Sequence, residues 1–513
     1  MSNTVNAIGD KPLEGGQLWM AALLLATANF IAVLDMTIAN VSVPHIAGSL
    51  SATTSQGTYV ITSYAVAEAI TVPLTGWFAS RFGTVRVFCI AMVMFGICSA
   101  LCGLADSLGM LIAARVLQGL AGGPLMPLSQ TLLLRIFPKE KTGAAMGLWA
   151  MTTLTAPILG PIMGGWLCDT LSWPAIFLIN VPIALPCGYL AWRMVKRYET
   201  KTLRLPIDIV GLVLLIVWVG ALQIMLDEGK NLDWFASTEI CILAVVAVIG
   251  FIAFLIWELT DAHPVVDLRV FRHRGFSVSV VAIALGFGAF FAANVLTPLW
   301  LQTFMGYTAT WSGKTTAWMG VLAVMAAPFA AGLSTKLDPR KLAFFGILWL
   351  GIFTFIRAFS TTDMTYWHVA LPLFIMGLGM PFFFMPLNTL ALSSVEERET
   401  ASAAGLLNFL RTLSGAFATS LVTTEWENTI TTKHAELVGL ADPGNAILNE
   451  LQQSGMNYEA ALNTVDNLIS SQGVMLATND VMLITSFTFI FAALSVWLAP
   501  KPQHLVSPAE GGH

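Results

Sequence analysis

Two acidic residues inside apolar stretches are the clearest sign of chemistry in this 513-residue chain. Asp35 and Glu68 each lie in a run of apolar residues long enough to cross a membrane, and so does a basic residue, Arg115. An ionisable side chain at that depth is costly, so it usually carries a proton, an ion or a substrate. Burial opposes the ionised form of a carboxyl group and a nearby arginine favours it, so a movable pairing would bind and release a proton.

The composition indicates an integral membrane protein. Only 11% of the residues are Asp, Glu, Lys or Arg, whereas soluble domains have about 25%, and the mean hydropathy is +0.75. A spanning helix needs roughly 20 apolar residues, and on that basis the sequence predicts fourteen spans. They are Leu18–Ser42, Thr58–Phe78, Val85–Leu104, Met110–Leu134, Gly143–Leu167, Ala175–Arg193, Ile209–Leu226, Ile240–Trp257, Phe276–Leu301, Trp311–Leu333, Leu342–Phe359, Trp367–Leu392, Ala401–Thr424 and Val481–Ala499.

The basic residues predict the orientation of these spans. With a cytoplasmic N-terminus, nineteen of the 25 Lys and Arg residues fall in cytoplasmic segments, which is the bias expected of membrane proteins. An even number of spans then returns the C-terminus to the cytoplasm. The first seventeen residues lack the basic start and the cleavage site of a signal peptide, so the first span is expected to remain in the protein.

An internal repeat predicts two similar halves. The turn that follows the second span recurs about 255 residues later, and GLAGGPLMPLSQT (Gly119–Thr131) resembles GLGMPFFFMPLNT (Gly377–Thr389) in nearly the same register. Parallel repeats of this kind indicate two helical bundles around a central cavity. The predicted organisation is a cytoplasmic segment 1–17, a six-helix bundle 18–204, two inserted helices in 205–260, a second six-helix bundle 261–500 with a periplasmic loop 425–480, and a cytoplasmic tail 501–513.

Several motifs resemble those of the major facilitator superfamily. They are LDMTIANVSVP (Leu34–Pro44), GWFASRFGTVR (Gly76–Arg86), RVLQG (Arg115–Gly119) and APILGPIMGGW (Ala156–Trp166). Further stretches are similar to the EmrB-type branch of the fourteen-helix drug:proton antiporters, namely FLINVP (Phe177–Pro182), LQIMLDEGKNLDWF (Leu222–Phe235) and NFLRTLSGAFATS (Asn408–Ser420). The resemblance implies an all-α integral membrane protein with the major facilitator fold, fourteen transmembrane helices and both termini in the cytoplasm.

The resemblance also implies that the fourth-span motif, with Arg115, Gln118 and Gly119, serves proton coupling. Together with Asp35 and Glu68 it forms the expected coupling site. EmrB-type proteins more often carry an amide where Glu68 stands, so Glu68 would be a second proton site or an acid that binds a cation. Structural roles remain open for all three charged residues: Asp35 as a helix-end residue, Glu68 as a protonated packing partner and Arg115 as a brace between helices.

Two glycine motifs are expected to govern conformational change. Gly76 and Gly83 allow a tight turn, while Arg81 and Arg86 would latch cytoplasmic carbonyls or acids. Ser80 replaces the usual family aspartate, which puts the charge-relay form of this latch in doubt, and an ordinary positive loop is the alternative.

The second glycine motif lies on the fifth span. Gly160, Pro161, Gly164 and Gly165 permit close helix packing and bending. By resemblance, this motif is characteristic of exporters rather than importers.

Candidate substrate contacts lie in the second half. Arg357 and Arg411 are too costly to face lipid, so they would pair with an anionic substrate, with helix carbonyls or with an acid. Asn294, Phe383 and Asn388 belong to aromatic-rich spans that could line an adaptable apolar pocket. For every one of these residues a purely structural role is the alternative.

No motif requires a cofactor or a metal. Gly313-Lys314-Thr315 resembles the end of a phosphate-binding loop, but Thr308 replaces the required glycine and no strand precedes it. The expected energy source is therefore the proton gradient.

The predicted outer loop carries helix signals of its own. Asp442-Pro443 is a good helix start, Gly455 a stop and Asn457 a cap for a second helix, which together predict a small helical hairpin. Such a hairpin would contact an adaptor protein or cover the cavity.

The residues and the resemblance together predict a proton-coupled antiporter of the bacterial inner membrane that exports hydrophobic or amphipathic toxic compounds. The resemblance implies lipophilic small-molecule substrates, a periplasmic adaptor (membrane fusion) protein and an outer-membrane channel as partners in a tripartite system, and no nucleic acid. An uptake symporter for a small metabolite shares the fold but needs more polar cavity residues. A membrane enzyme acting on lipid-linked substrates needs clustered acids or histidines, whereas the histidines here are scattered.

Overall fold

The computed structural model describes residues 13–52, 54–138, 141–203, 208–262, 264–334, 337–441 and 446–500, and these residues contain helices and no strands. The predicted all-α fold is confirmed. The α-helices are α1 Gly15–Ser49, α2 Thr54–Thr71, α3 Thr75–Phe82, α4 Thr84–Gly103, α5 Leu108–Gly122, α6 Leu125–Ile136, α7 Thr142–Thr170, α8 Ala175–Leu178, α9 Val181–Val195, α10 Ile209–Glu228, α11 Thr238–Thr260, α12 Arg274–Thr303, α13 Ala309–Ser334, α14 Pro339–Arg357, α15 Tyr366–Met376, α16 Gly379–Ser393, α17 Thr400–Ala441, α18 Ala446–Gln453 and α19 Tyr458–Ser495.

Four of the predicted spans are pairs of helices with a short break between them: α2–α3, α5–α6, α8–α9 and α15–α16. Pro73, Pro124 and Pro182 lie at the first three breaks. Proline has no backbone N–H and its ring collides with the carbonyl four residues earlier, so it interrupts the helical hydrogen bonds. Three of the four pairs, α5–α6, α8–α9 and α15–α16, still form single stretches that are long and apolar enough to cross a membrane.

Eleven stretches of the described residues are long and apolar enough to cross a membrane, and twelve if a bent pair within α7 counts as one span. The α2–α3 pair and α17 fall outside this set. α2 contains Glu68 and several hydroxyl side chains, and α17 is rich in threonine beyond its middle, which lowers the hydropathy of both. The exact count of fourteen therefore stays a prediction.

The helices form two groups joined by an inserted pair. α1–α9 enclose their own buried core, which includes Phe88, Phe95 and Trp149. α12–α19 enclose a second core, and the α10–α11 pair packs beside α2 and α17. We call the face at which α1 begins the inner face; the positive-residue bias predicts that it is cytoplasmic.

The two halves touch closely at the inner face. A Cβ atom at Gly76 would lie 2.8 Å from Ser402 Cα, and one at Gly147 would lie 3.0 Å from the Met385 methyl group. On the second half, a Cβ atom at Gly405 would lie 3.0 Å from the Val72 carbonyl oxygen of the first half. Glycine therefore permits the approach of the halves, and the inner face is closed in this conformation.

The outer segment differs from the predicted loop. α17 continues beyond Thr424 to Ala441, and no proline interrupts it before residue 443. α19 begins at Tyr458 instead of Val481. Asn457 caps α19 as expected, accepting a hydrogen bond of 2.7 Å from the Ala460 amide. Gly455 has φ +100°, which ends the preceding turn. The predicted start at Asp442-Pro443 lies outside the described residues, and α18 begins at Ala446.

Gly76→Val should open the inner face. The added side chain has no room against the Ser402 backbone, and overpacking of this kind costs about 1–3 kcal/mol. In a background without the six native cysteines, we expect maleimide to label Val72→Cys faster from the inner side when Gly76→Val is present. Gly165→Val is the matched control, since no heavy atom lies within 4 Å of a Cβ there. Equal labelling in both variants would show that the Gly76 contact does not hold the inner face closed.

Candidate functional site: a buried ion pair in the first half

Asp35 on α1 and Arg115 on α5 form an ion pair that is completely buried. The Arg115 Nη1 to Asp35 Oδ2 distance is 2.5 Å, and neither side chain is exposed to solvent. The two residues are 80 positions apart in sequence. The structure thus brings together two of the three charged residues that the sequence singled out.

The second oxygen of Asp35 also has hydrogen-bond donors. Asn180, in the break between α8 and α9, donates to Asp35 Oδ1 at 2.7 Å, and Gln118 donates to the same atom at 3.0 Å. Both amides also donate to the Ser99 hydroxyl, at 3.1 Å from Asn180 and 3.2 Å from Gln118. Both oxygens of this buried carboxylate thus have hydrogen-bond donors inside the protein.

Arg115 is held by three further groups. Its Nε donates to the Val60 carbonyl on α2 at 3.1 Å, and its Nη1 donates to Gln118 Oε1 at 2.8 Å. Its guanidinium lies 4.2 Å from the centre of the Tyr64 ring, within the range of a cation–π contact. The ion pair therefore connects α1, α2, α5 and the α8–α9 break.

Glu68 lies one turn beyond Tyr64 on α2 and is buried, but it is not part of this hydrogen-bonded network. Its Oε2 has no hydrogen-bond partner among the described residues. It is close enough to interact electrostatically with Asp35, Arg115 and, from the second half, Arg411. Glu68 is thus a second buried acid, and basic residues of both halves influence its charge.

Gly119 allows α5 to lie against α2. A Cβ atom there would be 2.5 Å from the Tyr64 carbonyl oxygen. On α7, Gly160 and Gly164 have the same role against α1: their Cβ atoms would lie 2.8 Å from Thr37 Cβ and 2.8 Å from the Ile38 carbonyl oxygen. Gly165 has open space beside it, and the Pro161 side chain lies outside the described residues.

The turn between α3 and α4 is organised by an acid that the sequence reading missed. Glu199 accepts hydrogen bonds of 3.0 Å from the backbone amides of Val85 and Arg86, at the start of α4. Gly83, with φ +97°, provides the space for its carboxylate. The Arg81 guanidinium lies 5.5 Å from the centre of the Trp77 ring. This turn is thus fixed within the first half.

The candidate substrate residues of the second half lie in different places. Asn294 donates to the Phe290 carbonyl of its own helix at 2.8 Å. Phe383 is fully buried, and a Cβ atom at Gly286 would lie 2.8 Å from its ring. Arg357 donates to the Thr297 hydroxyl near the outer end of α14. None of these contacts joins them to the ion pair.

Asn388 lies where the two halves meet. Gln130 on α6 donates to Asn388 Oδ1 at 3.1 Å, and Asn408 on α17 donates to Gln130 Oε1 at 3.2 Å. Gln130 and Asn388 occupy corresponding positions of the internal repeat, 258 residues apart. Residues related in this way can meet only close to the pseudo-twofold axis, so this amide cluster marks the axis between the halves.

The Major Facilitator Superfamily model matches residues 25–419 of the chain. The chain therefore belongs to this family, and its fold is that of a multi-pass membrane transporter. Its location is the bacterial inner membrane.

Two relatives cover nearly the whole chain. The chain is 44% identical to the multidrug export protein EmrB of Haemophilus influenzae, over 96% of this chain and 97% of that one. It is 43% identical to the fatty acid resistance protein FarB of Neisseria gonorrhoeae, over 98% and 99%.

A solved structure with the same fold is the proton:xylose symporter XylE, with a TM-score of 0.60, 14% identity and coverage of 94% and 96%. At that identity the likeness concerns the fold alone. The family resemblance and the fold that the sequence predicted are confirmed.

Removal of one charge of the ion pair should destabilise the protein more than removal of both charges. Arg115→Gln leaves the Asp35 carboxylate buried without its cation, and breaking a buried pair in this way costs about 3–5 kcal/mol. In the Asp35→Asn, Arg115→Gln double variant no uncompensated charge remains. We therefore expect the double variant to be recovered in higher yield and to melt at a higher temperature than Arg115→Gln. Additive losses in the double-mutant cycle would contradict the pairing.

Proposed function

We propose that this protein exports hydrophobic or amphipathic toxic compounds across the inner membrane in exchange for protons, as a multidrug efflux antiporter. The observation that carries the proposal is the buried Asp35–Arg115 pair, whose carboxylate has charged and amide donors on both oxygens. Relatives that match almost the whole chain are named for multidrug export and for fatty acid resistance. The names support the direction of transport and the class of substrate.

The ion pair provides a route from protonation to movement. A proton on Asp35 removes the charge that attracts Arg115, so Arg115 keeps only its contacts with Val60, Gln118 and Tyr64. α1, α2 and α5 then lose their common electrostatic link and repack. Proton binding and substrate binding favour conformations that open to different sides of the membrane. This difference is sufficient for obligatory exchange when the halves reorient around the site.

Glu68 is the second acid on this route. Its charge interacts with those of Arg115, in the same half, and Arg411, in the other half, so a proton on Glu68 would change the balance of charge between the two halves. We assign Asp35 as the principal coupling acid because it has the direct bond to Arg115. Glu68 adjusts the coupling.

The alternative is proton-coupled uptake of a small metabolite. The fold is compatible with it, since a proton:sugar symporter has the same architecture. Relatives that match almost the whole chain are named for multidrug export and for fatty acid resistance, which disfavours a polar metabolite as the substrate. The direction of proton movement distinguishes the two functions: substrate binding releases protons in an antiporter and is accompanied by proton uptake in a symporter.

We further propose that the outer helical extension contacts a periplasmic adaptor, as the inner-membrane part of a tripartite pump. α17 has 42 residues, about 63 Å at 1.5 Å per residue, whereas the hydrocarbon core is about 30 Å thick. α17 and α19 therefore continue well beyond the outer face, and the extension exposes apolar side chains such as Val438, Met456, Leu462 and Leu468.

The deciding experiment is proton release from the purified protein in nanodiscs on addition of a panel of lipophilic compounds. We expect release from the wild type, no release from Asp35→Asn and reduced release from Glu68→Gln, because these acids supply the exchanged protons. Asp106→Asn, a substitution on an exposed loop, is the matched control and should release protons as the wild type does. Proton uptake on substrate binding would indicate symport and overturn the antiport proposal.

Replacement of residues 438–468 by a short Gly-Ser linker should separate transport from delivery to the outside. A Cβ atom at Gly473 would lie 3.4 Å from the His434 backbone nitrogen, so α17 and α19 are adjacent below the cut. We expect proton-driven transport in inverted vesicles to persist, while resistance of cells that contain the adaptor and the outer channel is lost. Full resistance with the shortened helices would contradict a docking role.

A further inference from the structure

Arg411 lies on the boundary between the halves, deep in the membrane. It is 3% exposed and lies about 16 Å from the inner end of α17 at 1.5 Å per residue. Its guanidinium contacts both halves: Nη2 is 2.5 Å from the Met126 sulfur, and the centres of the Trp149 and Phe287 rings are each 5.2 Å away. Transporters of this architecture bind substrates at this depth, where their repeats meet.

The cation of Arg411 has few partners. Its Nε and Nη1 have no hydrogen-bond partner among the described residues, and its Nη2 reaches only a thioether, which is a weak acceptor. No carboxylate of the described residues lies within ion-pair distance of it. Glu68 interacts with it only electrostatically. Arg115, at similar burial, has a carboxylate, an amide oxygen and a backbone carbonyl as acceptors.

The two aromatic rings explain how the cation is retained without an acid. Ring faces attract a guanidinium, but they provide no lone pairs for its N–H groups. Buried donors that stay unpaired destabilise the protein, so they need an explanation in terms of function. An ionisable residue in this position is best explained by a ligand of opposite charge.

Among the buried arginines of the described residues, Arg411 is the one without an oxygen acceptor. Arg357 is bonded to the Thr297 hydroxyl, far towards the outer face. Asn408, one turn nearer the inner face on the same side of α17, bonds to Gln130 and to the Ala404 carbonyl of its own helix. The amide cluster thus closes the space below Arg411, and the rings of Trp149 and Phe287 lie beside it.

We propose that Arg411 binds the anionic head group of an amphipathic substrate, with a carboxylate as the preferred group. Trp149, Phe287 and Met126 contact the apolar part of the same molecule. The inference deepens the proposed function, on which it rests, because it names the substrate class: lipophilic acids in their ionised form. It also gives the two arginines different roles, because Arg411 binds the substrate whereas Arg115 pairs with Asp35.

The test compares the binding of an alkylbenzoate with the binding of its methyl ester to the full chain in nanodiscs, with empty nanodiscs to correct for partition into lipid. We expect the wild type to bind the acid about 10- to 100-fold more tightly than the ester, the factor that corresponds to one hydrogen bond with a charged partner. Arg411→Gln should remove this difference and leave ester binding unchanged. Arg411→Lys should restore part of it.

Arg398→Gln, which changes an exposed arginine of the inner face, is the matched control and should keep the preference for the acid. Equal affinity of the wild type for acid and ester would overturn the proposal without any variant. Parallel weakening of acid and ester in Arg411→Gln would also overturn it and would indicate a structural arginine. Because resting protein is used, failure of this test is distinct from failure of proton exchange.

Discussion

The buried Asp35–Arg115 pair constrains the whole first half of the protein. A charge inside a membrane protein is tolerated only when its partners surround it, and these partners come from α1, α2, α4, α5 and the α8–α9 break. None of the five segments can shift alone without exposing a donor or an acceptor. In the proposed mechanism, the half moves as a unit while Asp35 and Arg115 stay paired.

The amide contacts between the halves are weaker than the ion pair. At the axis, Gln130, Asn388 and Asn408 form neutral amide hydrogen bonds, each worth about 0.5–1.5 kcal/mol net. Around them, glycine allows the two halves to approach closely, as at Gly76 and Gly147. A charged network inside one half and neutral amide contacts at the axis would suit the rigid-body rocking of the proposed mechanism, in which the boundary between the bundles opens while each bundle stays intact.

Apolar pattern and charge depth predicted much of this arrangement. Asp35 and Arg115 could be assigned to one half because each interrupts a long apolar run, and the repeat predicted the two bundles. Asn180, Ser99 and Glu199 were missed because neutral amides, hydroxyls and loop acids are common and carry no periodic signal. The outer part of α17 was missed because the acidic, basic and threonine residues beyond Thr424 lower its hydropathy, so it did not qualify as part of a spanning helix.

The internal repeat contained one further clue, because Gln130 and Asn388 correspond in the two halves. Amides at equivalent positions of a parallel repeat face each other whenever the axis passes between them, so their hydrogen bond is a consequence of the symmetry. The buried charged residues are not arranged symmetrically in the two halves. Arg115 has an acid within its own half, whereas Arg411, on the second half, has aromatic rings and no acid at bonding distance. In the proposed function, the first half responds to protons through the ion pair, and Arg411 supplies a positive charge at the boundary between the halves.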